Sequence, residues 1–469
     1  MTTSIIETLS TLDLFVFFLV LFITIGVIYG GHRKRKAETP NNQRKSSLEV
    51  LLDGRRLTLP LFIATLVSTW YGGIFGVTQM AYEYGIYNFI TQGVFWYVSY
   101  LILAFFMAHK LRSSSAQTLP ELAGQLFGPK SAKVASVFNL LNVLPIAYAM
   151  SIGLLIDTIF GIGIVPATLS GTGVVILYSM LGGFRAIVLS DLVQFFVMVS
   201  SVVMVFVLSI TTYGGLGFLQ ANLPEAHFSI TGGHSVATLL VWGFIALSTL
   251  VDPNFYQRVF AASSAATAKK GIIISTLIWC LFDICTTGGA MYAAATLKGA
   301  DSAQAYLIYA MELLPHGLRG FFLAGILATI LSTLDSYLFI ASTTVVYDLL
   351  KKKQSLLLSH HISTAVIGLT AAFASFYFSG GIKDVWKTLG SYSAGCLLLP
   401  MVIGLLTPIK IKDHQFVAAA VTGAIAITIW RWLPREGLLA NIDDLYLGIS
   451  STGLIILASW YSNRRTSPQ

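Results

Sequence analysis

Residues 59–85 read LPLFIATLVSTWYGGIFGVTQMAYEYG. The stretch is apolar enough to enter hydrocarbon, yet Ser68, Thr69, Gly72, Gly73 and Gly76 interrupt its middle. In a bilayer no water satisfies freed backbone groups, so a broken helix is tolerated only where it lines a cavity or a site. The rest of the chain has the same solvent. Of 469 residues, 55% are hydrophobic and only 11% charged, and the mean hydropathy is +0.76. A soluble domain carries about 25% charged residues. Apolar runs of about 20 residues recur along the whole length, the pattern of an all-α polytopic membrane protein.

Thirteen spans are expected, at 12–30, 59–84, 87–108, 131–157, 161–182, 187–211, 236–253, 271–297, 319–348, 361–380, 385–407, 415–433 and 443–461. Lys and Arg cluster at 32–56, 109–112, 182–185, 257–270, 351–353, 410–412 and 463–465, all on one side for this count. By the positive-inside rule that side is the cytoplasm, which puts the N-terminus outside and the C-terminus inside. Loops 213–235 and 434–444 fall on the other face. The net charge of +8 therefore serves topology, and nucleic acid is not an expected partner. The first apolar run has no Lys or Arg before it and no small-residue cleavage site after it, so it reads as a retained span. Cys280, Cys285 and Cys396 are scattered, with no CxxC or Cys/His grouping. Neither a zinc site nor a nucleophile–base set is expected, and the chain is not read as an enzyme.

A second broken span is VWGFIALSTLVDPNFYQR (241–258), where Ser248 and Thr249 precede Asp252-Pro253. Proline removes a backbone donor and disfavours helix at the residue before it. The two broken spans are the second and the seventh, five apart. Paired discontinuous helices in corresponding positions point to an inverted-repeat transporter.

The ninth span contains ILSTLDSYLFIAS (330–342). Thr329, Ser332, Thr333 and Ser336 stand at i, i+3, i+4 and i+7 and share one helix stripe, with Asp335 at its edge. Such a stripe serves close helix packing as readily as ligand binding. The acid tips the reading, because an intramembrane carboxylate is costly and functional by default. Hydroxyl and carbonyl oxygens suit a hard monovalent cation, so the break of span 2 is expected opposite this stripe with sodium between them. In GGFRAIVLSDLVQFF (182–196), Asp191 and Gln194 enter span 6 about two turns beyond the Gly182-Gly183 turn. Asp191 reads as a buried functional acid, as a helix cap or as a partner of Arg185. Glu83, near the outer end of span 2, reads equally as a site residue or a surface charge, and His360-His361 as a headgroup contact in preference to a metal site.

The stretches ATLVSTWYGGIFGVTQMAYEYG (64–85), GGFRAIVLSDLVQ (182–194), YQRVFAASSAATAKKG (256–271) and ILSTLDSYLFIASTTVVYDL (330–349) resemble the sodium:solute symporter family. That family includes bacterial sodium/proline, sodium/galactose and sodium/sialic acid transporters, and the similarity covers roughly residues 45 to 410. The resemblance implies a single membrane domain, 1–469, with a LeuT-like core of two inverted five-helix repeats at 59–211 and 236–407. An extra helix and basic loop (12–58) precede the core, and two extra helices (415–461) follow it. It implies a sodium site built from carbonyls of Ala64, Val67 and Thr329 and hydroxyls of Ser332 and Thr333. Some members hold a second cation with an acid placed like Asp191 and hydroxyls one turn further along. Here that set is Asp191, Asp335 and Ser336, with Asp335 standing where those members have a small hydroxyl residue, so the stoichiometry stays open. The implied substrate pocket uses Ser68, Trp70, Tyr71, Gln92 and Ser248. The expected function is sodium-coupled secondary active symport of a small polar organic solute by alternating access across the cell (inner) membrane. A proton-coupled transporter of the same fold and a transporter-like membrane sensor are the alternatives.

Overall fold

Pro60 stands in the first turn of α1 (Leu59–Ser68), where its missing N–H costs nothing. The helix stops at Ser68, residues 69–73 are not helical, and α2 (Ile74–Tyr84) resumes the same span. The glycines of the break are spacers. A Cβ on Gly72 would lie 2.5 Å from the Cβ of Thr333, and one on Gly73 would lie 2.0 Å from the Trp386 ring. Neighbouring helices therefore press directly on bare backbone at the interruption.

These coordinates form a computed structural model that describes residues 5–38, 47–180, 183–351, 356–434, 436 and 442–466. The expected loops at 32–56, 182–185, 351–353 and 434–444 lie partly outside the described residues, Gly182 among them. Among the described residues, ten helices are long and apolar enough to cross a membrane. Two shorter apolar helices, Leu59–Ser68 and Ile164–Ser179, accompany them. The only strand-like feature among the described residues is a bridge between Leu57 and Ala262.

Three long helices surround the first break: α3 (Phe184–Tyr213), α6 (Ala265–Thr296) and α7 (Leu318–Thr343). α1 packs on α3 and α6, α2 packs on α6, and α3 runs against α7. α7 is the most enclosed, with 89% of its apolar window buried. A helix apolar on all sides belongs inside a bundle, and its hydroxyl stripe is then the polar face presented to the break. The first helix, Thr11–Glu38, docks on α7 through buried Asp13, which accepts from the N–H groups of Gly317 at 2.6 Å and Gly320 at 3.3 Å.

The second broken span runs as α4 (Val236–Leu247), a tight 3₁₀ turn at Ser248–Val251, extended Asp252, and α5 (Pro253–Ala261). Asp252 caps α5 by accepting from the N–H groups of Asn254 at 2.8 Å and Phe255 at 3.3 Å. This corrects the expected limit of the span at residue 253. The capped helix continues to Ala261 and carries Gln257 and Arg258 into the bundle, where Arg258 is wholly buried. Arg258 is thus not one of the loop charges that set topology.

Candidate functional site

The break of the first span and the stripe of α7 meet. Ser332 Oγ donates to the Ser68 carbonyl at 2.7 Å, and the Thr333 hydroxyl lies 3.4 Å from the same oxygen and 3.1 Å from the Thr329 carbonyl. Thr333 Oγ1 also accepts from the Gly72 N–H at 2.9 Å. Two of the backbone groups freed by the break, the Ser68 carbonyl and the Gly72 N–H, are therefore satisfied by α7. Four neutral oxygens converge here: the carbonyls of Ser68 and Thr329 and the hydroxyls of Ser332 and Thr333. All four residues are buried. Ala64 lies one turn earlier on α1, and the Val67 carbonyl accepts from Trp279 Nε1 at 3.4 Å.

One turn further along α7 the chemistry changes. Ser336 Oγ accepts from Arg258 Nη2 at 2.8 Å, and the same nitrogen lies 3.8 Å from Asp191 Oδ2. Thr65 Oγ1 donates to Asp191 Oδ2 at 2.5 Å and stands 3.3 Å from Arg258 Nη2. Arg258 Nη1 donates to Asn254 Oδ1 at 3.0 Å and to Gln257 Oε1 at 3.1 Å. The guanidinium also sits 5.4 Å from the centre of the Phe184 ring. Both members of the ion pair have wholly buried side chains. Asp191 and Ser336 are thus brought together, with a guanidinium between them. Asp191 is deep in the bundle and pairs with Arg258, while Arg185 lies 3.9 Å from Asp53. Asp335 faces a different, small cavity that it lines with Tyr178, Ser179 and Ser190.

Between the two breaks lies a cavity of about 90 Å³. Of the expected pocket residues, Trp70, Tyr71, Gln92 and Ser248 line it, and so do Asp252 and Trp386. Gln92 stands on a widened π-turn, Phe89–Val94, a distortion that recurs at functional sites. Its buried Nε2 has no hydrogen-bond partner among the described residues. Ser68 does not line the cavity. It is wholly buried, and its hydroxyl donates to the Asp191 carbonyl at 3.0 Å. The Tyr71 hydroxyl binds the buried Asp283 carboxylate, as does that of Tyr97. Two further sequence readings change. Glu83 is not a free surface charge: it pairs with Lys383 at 2.8 Å and accepts from Ser302 at 2.7 Å. His360 is buried, 3.1 Å from the Thr343 hydroxyl and stacked on Phe339, so it is not a headgroup contact.

Sequence reasoning missed the Ser68 carbonyl, Arg258, Asp252 and Asp283. Arg258 carried a usable signal. Asn254 precedes it by four residues, on the same face of the helix that Asp252-Pro253 starts.

A bundle with two interrupted helices, a cluster of oxygens at one break and a cavity between the breaks defines a multi-pass helical membrane transporter. Its fold is that of a sodium-coupled sialic acid symporter solved in a substrate-bound outward-open state. The TM-score is 0.78 over 98% of each chain, at 16% identity. A closed structure of Mhp1, a nucleobase-cation-symport-1 family transporter, gives a TM-score of 0.60 at 13% identity. It covers 92% of this chain and 96% of that one. Both neighbours are LeuT-like transporters.

The sodium:solute symporter family matches residues 51–405, and the chain belongs to that family. Its similar relatives include the osmoregulated proline transporter OpuE of Bacillus subtilis, 27% identical over 71% of this chain and 72% of that protein. The sodium/glucose cotransporter of Vibrio parahaemolyticus is 24% identical over 82% and 78%. The sodium/proline symporter of Escherichia coli is 24% identical over 75% and 74%. The chain is therefore a sodium-coupled symporter of the cell membrane, with sodium as the co-transported ion.

Proposed function

We propose that the chain imports a small polar organic solute together with sodium by alternating access. Sodium sits where the first break meets α7, held by the Thr329 carbonyl and the Ser332 and Thr333 hydroxyls, with carbonyls from the end of α1 completing the shell. Ala64, Val67 and Ser68 are the residues that supply them. The single observation that carries this reading is the direct contact of Ser332 and Thr333 with the freed Ser68 carbonyl and Gly72 N–H. These groups now satisfy one another. Sodium entering among them replaces hydroxyl–carbonyl bonds with ion–oxygen contacts and draws α1, α2 and α7 together. That closure shapes the neighbouring cavity, so sodium and solute strengthen each other's binding, as a reciprocal coupling free energy requires. The membrane potential adds about 2.3 kcal/mol per charge for each 100 mV crossed.

We further propose one sodium per solute. The Asp191–Ser336 level already holds a cation that cannot leave, the Arg258 guanidinium. The solute occupies the cavity lined by Trp70, Tyr71, Gln92 and Ser248, where the unpartnered Gln92 amide is the donor awaiting it. The thirteen-span arrangement with the N-terminus outside, and the repeats at 59–211 and 236–407, belong to the same reading.

Proteoliposomes test it. With an inward sodium gradient, labelled proline, glucose and pantothenate, the solutes of related transporters, are offered in turn. Accumulation of one of them that needs sodium and collapses with a sodium ionophore is the expected result. Accumulation driven by a proton gradient without sodium contradicts it.

A further inference from the structure

Among the described residues, the cavity has one charged residue in its lining, and it is an acid. We propose that the transported solute carries a positively charged nitrogen, received by the Asp252 carboxylate among the surrounding aromatic rings. The inference rests on the transport reading above and adds the chemistry of the solute.

Asp252 is the hinge of the second broken span. It is 7% exposed and lines the cavity. Its Oδ1 serves the α5 cap. The Tyr337 hydroxyl is in hydrogen-bonding reach of the carboxylate, and among the described residues no basic side chain forms a salt bridge with Asp252. Its neighbour on the cavity side is the neutral Tyr337 hydroxyl. Arg258, on the same helix, attracts this carboxylate only from beyond salt-bridge distance. It donates to Ser336, Asn254, Gln257 and Thr65, lies 3.8 Å from Asp191, and does not line the cavity.

A carboxylate in an enclosed apolar setting is costly unless paired. The remaining wall favours the same sign of partner. Trp70, Trp96 and Trp386 line the cavity, and aromatic faces attract cations, Trp most strongly. A solute of net negative charge meets this carboxylate with no Lys, Arg or His in the lining to receive it. A neutral polyol leaves the charge without a counter-ion inside the cavity. A cationic nitrogen removes the cost, and the unpartnered Gln92 Nε2 then serves an acceptor elsewhere on the same solute.

An Asp before Pro at a helix start also serves as a plain N-cap. Asn caps equally well, so Asp252→Asn removes the charge and keeps the cap. The full-length purified protein is melted in sodium and in potassium at equal ionic strength, with choline, proline, glucose or pantothenate as probe. The expected result is a sodium-dependent rise in Tm with choline or proline and none with glucose or pantothenate. Asp252→Asn then weakens the stabilising probe ~10- to 100-fold, the loss of one charge-assisted contact. The rise with sodium alone persists in that variant, which reports that it is folded. Stabilisation by glucose or pantothenate, no stabilisation by either choline or proline, or an unchanged affinity in Asp252→Asn overturns the proposal. Loss of the solute-free sodium rise in the wild type contradicts the coupling reading instead, so the two failures are told apart.

Discussion

Ser332 with Thr333 and Ser336 with its neighbours occupy successive turns of α7, offering similar hydroxyls to the same broken span. Their surroundings are opposite. The first level contains only neutral oxygens, from Ser68, Thr329, Ser332 and Thr333. The second is closed by a buried ion pair, with Arg258 filling the space between Asp191 and Ser336. A neutral shell binds a cation weakly enough to let it go again. A carboxylate with a tethered guanidinium beside it is already neutralised. The hydroxyl stripe is thus one sequence feature in two environments, and what faces each turn sets its chemistry.

Breaking the charged level has the largest expected effect. Arg258→Ala leaves Asp191 as an uncompensated charge inside the bundle, a loss of about 3–5 kcal/mol. The check is the yield of monodisperse protein and its Tm. Combining Arg258→Gln with Asp191→Asn removes both charges and recovers part of the loss. A double variant as damaged as the sum of the singles would mean the pair does not act as a unit. Next comes Gly72→Ala, which drives a methyl group to within 2.5 Å of Thr333. Overpacking of this kind costs about 1–3 kcal/mol. Because the displaced atom belongs to the neutral level, sodium affinity falls along with stability, read as the sodium concentration for half-maximal Tm shift. The smallest effect is expected for Ser336→Ala. Arg258 Nη2 keeps Thr65 and Asp191 as neighbours, so the loss is about 1 kcal/mol of stability, with sodium affinity unchanged.

Much of this was legible in the sequence, for physical reasons that apply residue by residue. Gly72 and Gly73 in the middle of an apolar run announce a break because hydrocarbon punishes unsatisfied backbone. Thr329, Ser332, Thr333 and Ser336 announce one face because helical spacing is fixed. Those two facts suffice to bring α1 and α7 together. What stayed hidden depended on partners from distant segments. Arg258 looked like a loop charge because nothing local says that Asp191, 67 residues earlier in the numbering, waits beside it. Ser68 looked like a pocket residue because its position is right. Its hydroxyl is turned to the Asp191 carbonyl, and only its own carbonyl joins the oxygen cluster. His360 is hidden for the same reason, since its burial follows from Thr343 and Phe339 on α7.

The comparison of the two levels is tested most directly by titrating sodium into purified wild-type, Thr333→Ala and Ser336→Ala protein, with potassium holding ionic strength constant, and following Tm. A ligand that binds only the folded state stabilises it by about 2.7 kcal/mol at 100 times its Kd. A sodium-specific rise is expected in the wild type and in Ser336→Ala, and its loss in Thr333→Ala. A rise that survives in Thr333→Ala and disappears in Ser336→Ala would place the cation at the Asp191 level and contradict that expectation.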